Sequence, residues 1–319
     1  MFYKTIISGR LEFGSAKTFE TVIKMYQQRV ENFYRTAEIL IKSEEIFNEE
    51  THSLDIPRLI TQASEKGLQN TLDLLEYIVQ FAIAGDIRAW MTDNGKVLKH
   101  GRIEPNSDKA AVQAYIQGRE LIEEEGKEKE AKAILSAAIE KYERHALAYE
   151  RRGYVNFLLK NYNDSIYDFS KSIDLNPNNP DPYLGRAMVK MIQDDLAGAI
   201  LDLDNAIKRS IPLQPIYWKA RRIKGECHLR LEDAPAAINE LKLCTARNFN
   251  RDDSNYKWRQ NAWFNYGKAL AAAGKHNDAI QAFDQALKIE DAEKEVSQAE
   301  LLKHKENALK KVSGSRATA

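Results

Sequence analysis

The side chains best placed to do chemistry lie in one short stretch of the N-terminal part of the chain. Its best polar cluster consists of Asp86, Arg88, Asp93, His100, Arg102 and Glu104. His100 and Arg102 are two residues apart, so on a strand both would point to the same face. Such a face could hold a ligand or an acid–base catalyst. A solvated hairpin surface is the favoured interpretation, because charged outer faces are the norm.

No other stretch of the chain carries a pattern of catalytic or metal-binding residues. The six histidines are scattered and none has the HExxH or another metal-ligand spacing, and the phosphate-binding and nucleophile-elbow motifs are absent from the sequence. The two cysteines, Cys227 and Cys244, form no CxxC pair, so we expect two reduced thiols buried in the core. The sequence therefore predicts no catalytic residue, no metal site and no cofactor.

Net charge and hydropathy argue against nucleic acid and membranes as the main binding partners. The 319 residues carry 47 basic and 47 acidic side chains, and this zero net charge argues against a protein that mainly grips nucleic acid or an anionic membrane. No run of about 18 apolar residues occurs, and the first apolar stretch is too short for a signal-peptide core. We therefore expect a cytoplasmic protein that does not span a membrane.

Residues 1–108 predict a small α+β domain of three or four strands and two long helices. Extended segments near residues 2–7 and 11–13 indicate strands. Asn94 and Gly95 separate two alternating segments, and this pair predicts a β-hairpin over 86–103 because the turn needs positive φ.

Apolar residues at helical spacing predict the two helices of this domain. The first is expected to be capped by Thr18 and to continue through Ala37 to Ile41. The second is expected to open at Asp55 with Pro57 and to end at Gly85, because Asp favours the N-cap and Pro the first turn.

Residues 109–312 repeat one helical pattern. Each unit has a small residue near the middle of its first helix: Gly118, Gly153, Ala187, Gly225 and Gly267. A large apolar residue follows in the second helix: Leu135, Phe169, Leu203, Leu241 and Phe283. Small residues let two antiparallel helices approach closely, and the large residue fills the remaining groove.

This pattern resembles the tetratricopeptide repeat family over about residues 111–290. The signature positions of two units are filled by Tyr149, Gly153, Phe169 and Pro177, and by Trp263, Gly267, Ala279 and Phe283. The resemblance implies a mainly α fold, a right-handed α-solenoid of about five helical hairpins behind the α+β domain. Residues 292–312 suit a helix that caps the stack, and we expect residues 313–319 to be a disordered tail.

Stacked hairpins form a concave groove lined by the first helix of each unit. The side chains predicted to face this groove are Tyr115, Arg119, Glu150, Tyr154, Phe157, Leu184, Met188, Met191, Lys219, Arg222, Glu226, Phe264 and Lys268. The middle of the groove is apolar and contains two adaptable methionines, while basic side chains flank it. We therefore predict a partner segment with apolar anchors and some acidic character.

The leading functional hypothesis is a non-enzymatic adaptor or scaffold that binds a peptide or helix of a partner protein in the groove. In the alternative, the N-terminal domain is an enzyme or a ligand-sensing module that the repeats regulate. A third hypothesis, nucleic-acid binding by the basic and aromatic residues between Trp218 and Lys224, is disfavoured by the zero net charge. The sequence leaves open whether the chain forms homo-oligomers through the ends of the array.

Overall fold

The computed structural model describes residues 1–34, 39–290 and 296–317, and side chains as far as Ser313. By compactness the chain divides into two units, Met1–Pro182 and Tyr183–Ala319. Unit 1 contains the N-terminal domain and the first two helical hairpins, whereas the sequence prediction places a boundary between residues 108 and 109. Contacts between the N-terminal domain and these hairpins, described below, account for the difference.

The N-terminal domain is a five-stranded antiparallel sheet packed against helices. Its elements are β1 Tyr3–Glu12, α1 Ala16–Phe33, α2 Ser43–Ile46, β2 Phe47–Asn48, β3 Ser53–Ala63, α3 Glu65–Val79, β4 Ala84–Asp93 and β5 Lys96–Ile103. The strand order is β2-β3-β1-β4-β5. Strands β4 and β5 meet at Asn94 and Gly95, which both have positive φ, as the Asn-Gly pattern predicts.

The two faces of this sheet differ in character because strand residues alternate between them. The inner face carries fully buried side chains that pack with α1 and α3: Ile7, Leu11, Leu54, Ile87 and Met91. The outer sheet face carries Ile6, Trp90 and His100 in one row across β1, β4 and β5, followed by Asp86, Arg88 and Arg102. The outer face is thus the charged one.

Residues 53–63 form strand β3, so the prediction of a helix opening at Asp55 and Pro57 is wrong. The strand pairs with β1 along most of its length. Helix α3 begins only at Glu65, where the Ser64 hydroxyl accepts a hydrogen bond from the backbone N–H of Gly67 at 2.9 Å. The error arises because a short apolar run satisfies helical spacing and strand alternation equally well. This helix ends at Val79, and Gly85 lies within β4.

Helix α1 also differs from its predicted limits. Its N-cap is Ser15 rather than Thr18, because the Ser15 hydroxyl accepts the backbone N–H of Thr18. The helix ends at Phe33, so the expected continuation to Ile41 is wrong, and Ala37 lies outside the described residues.

The remaining described chain is helical. Its helices are α4 Ala110–Leu121, α5 Glu128–Lys141, α6 Ala146–Leu158, α7 Tyr162–Leu175, α8 Asp181–Ile192, α9 Leu196–Arg209, α10 Pro215–Arg230, α11 Ala234–Ala246, α12 Arg259–Ala272, α13 His276–Leu287 and α14 Gln298–Ala317. Helices α4 to α13 form five consecutive hairpins, which we number 1 to 5. The prediction of five helical hairpins after a small α+β domain is confirmed.

Small residues are required where the two helices of a hairpin cross. A Cβ atom added to Gly118 would lie 2.7 Å from Leu135, and one added to Gly267 would lie 2.5 Å from Phe283. Both distances are shorter than van der Waals contact, so the close approach depends on the missing side chain.

Helix α14 covers the end of hairpin 5, as a capping helix should. Its Leu301 and Ala308 are buried in the same cluster as Phe264 and Phe283. The helix continues to Ala317, so a disordered tail from residue 313 is wrong for residues 313–317. The Ser313 hydroxyl donates to the Leu309 carbonyl within the helix at 3.0 Å. Residues 292–295 and 318–319 lie outside the described residues.

Candidate docking faces

One predicted groove side chain in every hairpin is buried. These side chains are Tyr115, Glu150, Leu184, Arg222 and Phe264, and they are between 3% and 7% exposed. Each stands three residues before the aligned small residue of its first helix. The structure therefore removes these five from the surface that a partner can contact.

Three of these buried side chains pack against the element that follows their own hairpin. The ring of Tyr115 lies 4.8 Å from that of His145, just before α6. Arg222 lies 4.3 Å above the ring of Trp258, shortly before α12. Phe264 contacts His304 of α14, with ring centroids 5.2 Å apart. They therefore form the seams of the stack rather than its open surface.

In unit 1 the N-terminal sheet lies against the first helices of hairpins 1 and 2. Arg119 of α4 donates a hydrogen bond to Glu104 at 2.8 Å, and Glu104 also pairs with Arg102 at 2.9 Å. Strand β4 packs against α6, and Arg88 of β4 lies 3.8 Å from Asp181. Arg119, which was predicted to meet a partner, is thus engaged by the chain itself.

Burial and neighbouring charges shift the pKa values of two carboxyl groups at this contact, Glu150 and Asp86. Burial raises the pKa of Glu150, although Arg151 at 3.5 Å opposes this effect and Asn179 donates to its carboxylate at 3.3 Å. Burial acts in the same direction on Asp86, but Arg88 and Arg102 prevail and hold its pKa below the usual value. Asp86 is therefore ionised at neutral pH and ties the two arginines together.

Four of the six members of the polar hairpin cluster belong to this contact. Asp86, Arg88, Arg102 and Glu104 form a network of ion pairs that reaches Arg119 of α4 and Asp181 at the start of α8. The His100 ring lies 5.3 Å from that of Trp90, and burial, followed by the nearby arginines, lowers the pKa of His100. The arrangement is that of a charged joint between two parts of the chain.

A short apolar stripe on α6 stays accessible in unit 1. Tyr154 is 39% exposed and stacks on Phe157, with ring centroids 6.4 Å apart and ring planes 13° from parallel. Leu158 on the same helix is 40% exposed.

Unit 2 presents a mixed apolar and basic surface on its first helices. We call it the unit-2 docking face and define it by Met188, Met191 and Ile192 of α8, Lys219, Glu226 and Arg230 of α10, and Lys268 of α12. Met188 and Met191 are half-buried, and Ile192 is 50% exposed. Met188, Glu226 and Lys268 each directly follow the aligned small residue of their helix.

Glu226, Arg230 and Lys268 of this face each contact another side chain of unit 2. Glu226 accepts from Arg222 at 2.7 Å and from Asn265 at 3.4 Å. Arg230 pairs with Asp194 at 2.7 Å, and Lys268 lies 5.3 Å above the ring of Phe264. Basic groups outnumber acidic ones among the residues that define the face.

Charged side chains of the basic and aromatic cluster between Trp218 and Lys224 form ion pairs within unit 2. Arg221 pairs with Glu240 at 2.5 Å, and Lys224 pairs with the same carboxylate at 2.9 Å. The indole N–H of Trp218 donates to the Pro212 carbonyl at 2.9 Å. These contacts give the cluster a packing role and argue against a phosphate-binding patch.

Sequence reasoning missed a buried ion pair that links the two helices of hairpins 2, 3 and 4. In each pair the basic residue directly precedes the aligned small residue, and the acidic residue directly precedes the large apolar one. The pairs are Arg152–Asp168 at 2.7 Å, Arg186–Asp202 at 2.7 Å and Lys224–Glu240 at 2.9 Å. This constant position relative to the aligned small and large residues is the sequence pattern that could have predicted the three ion pairs.

Both cysteines are buried, and burial raises the pKa of Cys227 to about 11 and that of Cys244 to about 12. Among the residues that the structure describes, no group of three or more His, Cys, Asp or Glu is arranged to hold a metal ion. Within the same ranges, no helix has the length and apolar character that crossing a membrane requires.

Comparison with known proteins identifies the repeats. Family models of the tetratricopeptide repeat match residues 124–180, 184–242 and 260–292. DnaJ homolog subfamily C member 7 of Mus musculus is 28% identical over 99 residues, which cover 31% of this chain and 19% of that protein. The repeat region belongs to the tetratricopeptide repeat family, as its small-residue pattern predicts, and the match spans only about a fifth of the curated relative.

Solved structures agree on the fold. The structure of pilF from Pseudomonas aeruginosa has a TM-score of 0.52 and 17% identity, covering 66% of this chain and 88% of its own. PilW, a type IV pilus biogenesis factor, has a TM-score of 0.50 and 17% identity, covering 66% and 89%. At such identities the likeness concerns the fold alone.

Proposed function

We propose that the chain is a non-enzymatic adaptor that docks a segment of a partner protein on the unit-2 docking face. The observation that carries this proposal is the partial exposure of Met188 and Met191 beside the exposed Ile192 on one first helix. Methionine side chains adapt to irregular apolar surfaces, which suits a docking site. Membership of the repeat family supports a role in protein–protein interaction.

The partner segment carries an apolar anchor and acidic side chains. The anchor lies over Met188 and Met191, and the acidic groups lie near α10 and α12. Charge complementarity supports this choice, because the unit-2 docking face carries three basic side chains, on α10 and α12, and one acidic side chain. Of these, Arg230 is paired with Asp194 and Glu226 with Arg222.

The proposal confines docking to part of the groove expected from the sequence. Arg119 and Glu150 are engaged within unit 1, and Phe264 is covered by α14. The fifth hairpin thus contributes Lys268 but not Phe264.

The N-terminal domain has a structural task in this proposal. Asp86, Arg88, Arg102 and Glu104 are paired with each other, with Arg119 of α4 or with Asp181 of α8, so we assign them to the joint rather than to a reaction. Purified protein with His100→Gln is expected to dock its partner as the wild type does.

Site-specific photo-crosslinking in the native cell tests the docking face. A benzophenone amino acid placed at Met188 is expected to crosslink one defined segment, which peptide mapping identifies. The matched control is Leu201 on the second helix α9, which is 65% exposed and lies outside the docking face. Equal crosslinking of one segment from both positions would contradict the proposal, and crosslinking to a second copy of this chain would identify self-association as the function of the face.

The mapped segment is then synthesised and its affinity for the purified chain is measured by fluorescence anisotropy. We expect Met191→Asp to weaken binding by at least about tenfold, because a carboxylate replaces an apolar contact worth about 1.4 kcal/mol or more. Lys268→Glu is expected to weaken it less and to reduce its salt dependence. Unchanged affinity in both variants would refute the docking face.

A further inference from the structure

We propose that Glu104 is a built-in competitor for the partner, and that it holds the N-terminal sheet closed over the first helix of hairpin 1. This inference rests on the proposed function, since it assumes that first-helix faces dock acidic segments. It adds that the chain regulates one such face itself.

The equivalence of repeat positions carries the argument. Arg119 directly follows Gly118, the aligned small residue of hairpin 1. The residues at the same place in hairpins 2 to 5 are Tyr154, Met188, Glu226 and Lys268, and the last three are members of the unit-2 docking face. Arg119 is therefore the docking residue of hairpin 1 by position, and a carboxylate is already bound to it.

The geometry of that carboxylate is what an acidic partner would offer. Glu104 Oε2 accepts from Arg119 at 2.8 Å and from Arg102 at 2.9 Å, so two guanidinium groups share one carboxylate oxygen. Glu104 lies in the segment between β5 and α4, outside any helix or strand. A segment without ladder or helical hydrogen bonds can leave its place at lower cost than a strand.

The Glu104 contact is ionic and partly solvated, whereas Ile6 and Trp90 on the same outer sheet face are each 5% exposed. The side chains of Arg119 and Glu104 are 25% and 29% exposed, and that of Arg102 is 33% exposed. Charged contacts of this kind resemble transient interfaces within chains more than permanent apolar ones. An acidic partner can therefore compete for Arg119 without unfolding either part.

Other contacts limit how far the sheet can move. Tyr142 donates to Glu12 at 3.0 Å, and Lys109 Nζ donates to the carbonyls of Gln80, Phe81 and Ala82 at 3.2, 2.7 and 3.0 Å. These contacts keep β1 and the end of α3 in place. Because β4 pairs with β1 along its length, the opening that we propose is local and concerns β5, residues 104–109 and the α4 surface beneath them.

Hydrogen exchange measured by mass spectrometry on the full chain, without any partner, tests the closure. In Glu104→Gln we expect amides of β5, residues 104–109 and α4 to exchange about tenfold faster, because charge-assisted hydrogen bonds to two arginines are lost. Amides of α3 and α13 are expected to keep their wild-type rates. The matched control is Glu130→Gln, which breaks the solvated Lys127–Glu130 pair, with side chains 46% and 50% exposed.

Exchanging the charges of residues 104 and 119 tests whether the ion pair itself causes the change in exchange rate. Arg119→Glu alone should open the same segments, and the double variant Glu104→Arg with Arg119→Glu should restore much of their protection. Wild-type exchange rates in both single variants, or faster exchange throughout unit 1, would overturn the proposal. The docking face of unit 2 is not involved in this readout, so failure of the closure and failure of the proposed function are told apart.

Discussion

The buried ion pair of hairpin 2 makes a strong prediction about stability. Asp168 is 1% exposed and accepts hydrogen bonds from Arg152 at 3.0 and 2.7 Å and from Asn156 at 2.9 Å. Asp168→Ala removes all three acceptor contacts and leaves a guanidinium without its counter-ion. Loss of one partner from a buried pair costs about 3–5 kcal/mol, and because the Arg152 side chain is 18% exposed and can turn toward water we expect about 3 kcal/mol.

For a unit of this size, a loss of about 3 kcal/mol lowers the melting temperature by about 6–12 °C. Thermal and urea unfolding followed by circular dichroism measure the change. Replacing both partners, as in Arg152→Met with Asp168→Leu, should cost less than Asp168→Ala alone, because no unpaired charge remains. Lys127→Met, at a solvated pair, should change stability by less than about 0.5 kcal/mol. A cost below about 1 kcal/mol for Asp168→Ala would refute the reasoning.

Three further predictions concern packing, thiol reactivity and pH. Gly267→Ala should destabilise unit 2 by about 1–3 kcal/mol in urea unfolding, because its Cβ would press on Phe283, and Phe283→Leu in the same chain should recover part of the loss. Burial raises the pKa of Cys227 to about 11 and of Cys244 to about 12, so iodoacetamide at pH 8 should label neither thiol until the chain is unfolded, as mass spectrometry would show; rapid labelling of the native chain would contradict this. Burial lowers the pKa of His145 to about 3, below its value in the unfolded chain, so the unfolded state binds the extra proton and stability should fall as pH drops from about 6.5 toward 3. His145→Asn, which can still cap α6, should remove that part of the slope in urea unfolding measured across the same pH range, and an unchanged slope would contradict the assignment.

Much of the repeat fold could be predicted from the sequence because its physics is local and repeated. Close crossing of two helices demands a small residue opposite a large one, and this demand recurs in five hairpins, as Gly118 with Leu135 and Gly267 with Phe283 show. The N-terminal domain offered no such repetition. The run from Leu54 to Ala63 became a strand because it pairs with β1, a contact between residues far apart in the chain.

The candidate site was less predictable, because exposure depends on contacts between hairpins. Arg222 and Glu226 lie one turn apart on α10 and both were expected to line the groove. Arg222 is buried against Trp258, whereas the Glu226 side chain is 22% exposed. The engagement of Arg119 by Glu104 could not be predicted either, because it joins the α+β domain to the repeats through a contact that no periodicity encodes.

Methyl NMR of the chain labelled at its methionine methyl groups tests whether a partner segment docks over Met188 and Met191. The mapped partner segment is added stepwise, and the resonances of Met188 and Met191 are compared with that of Met91, which is fully buried in the N-terminal core. The docking account predicts shifts at Met188 and Met191 and none at Met91. A bound segment that leaves Met188 and Met191 unshifted would contradict it.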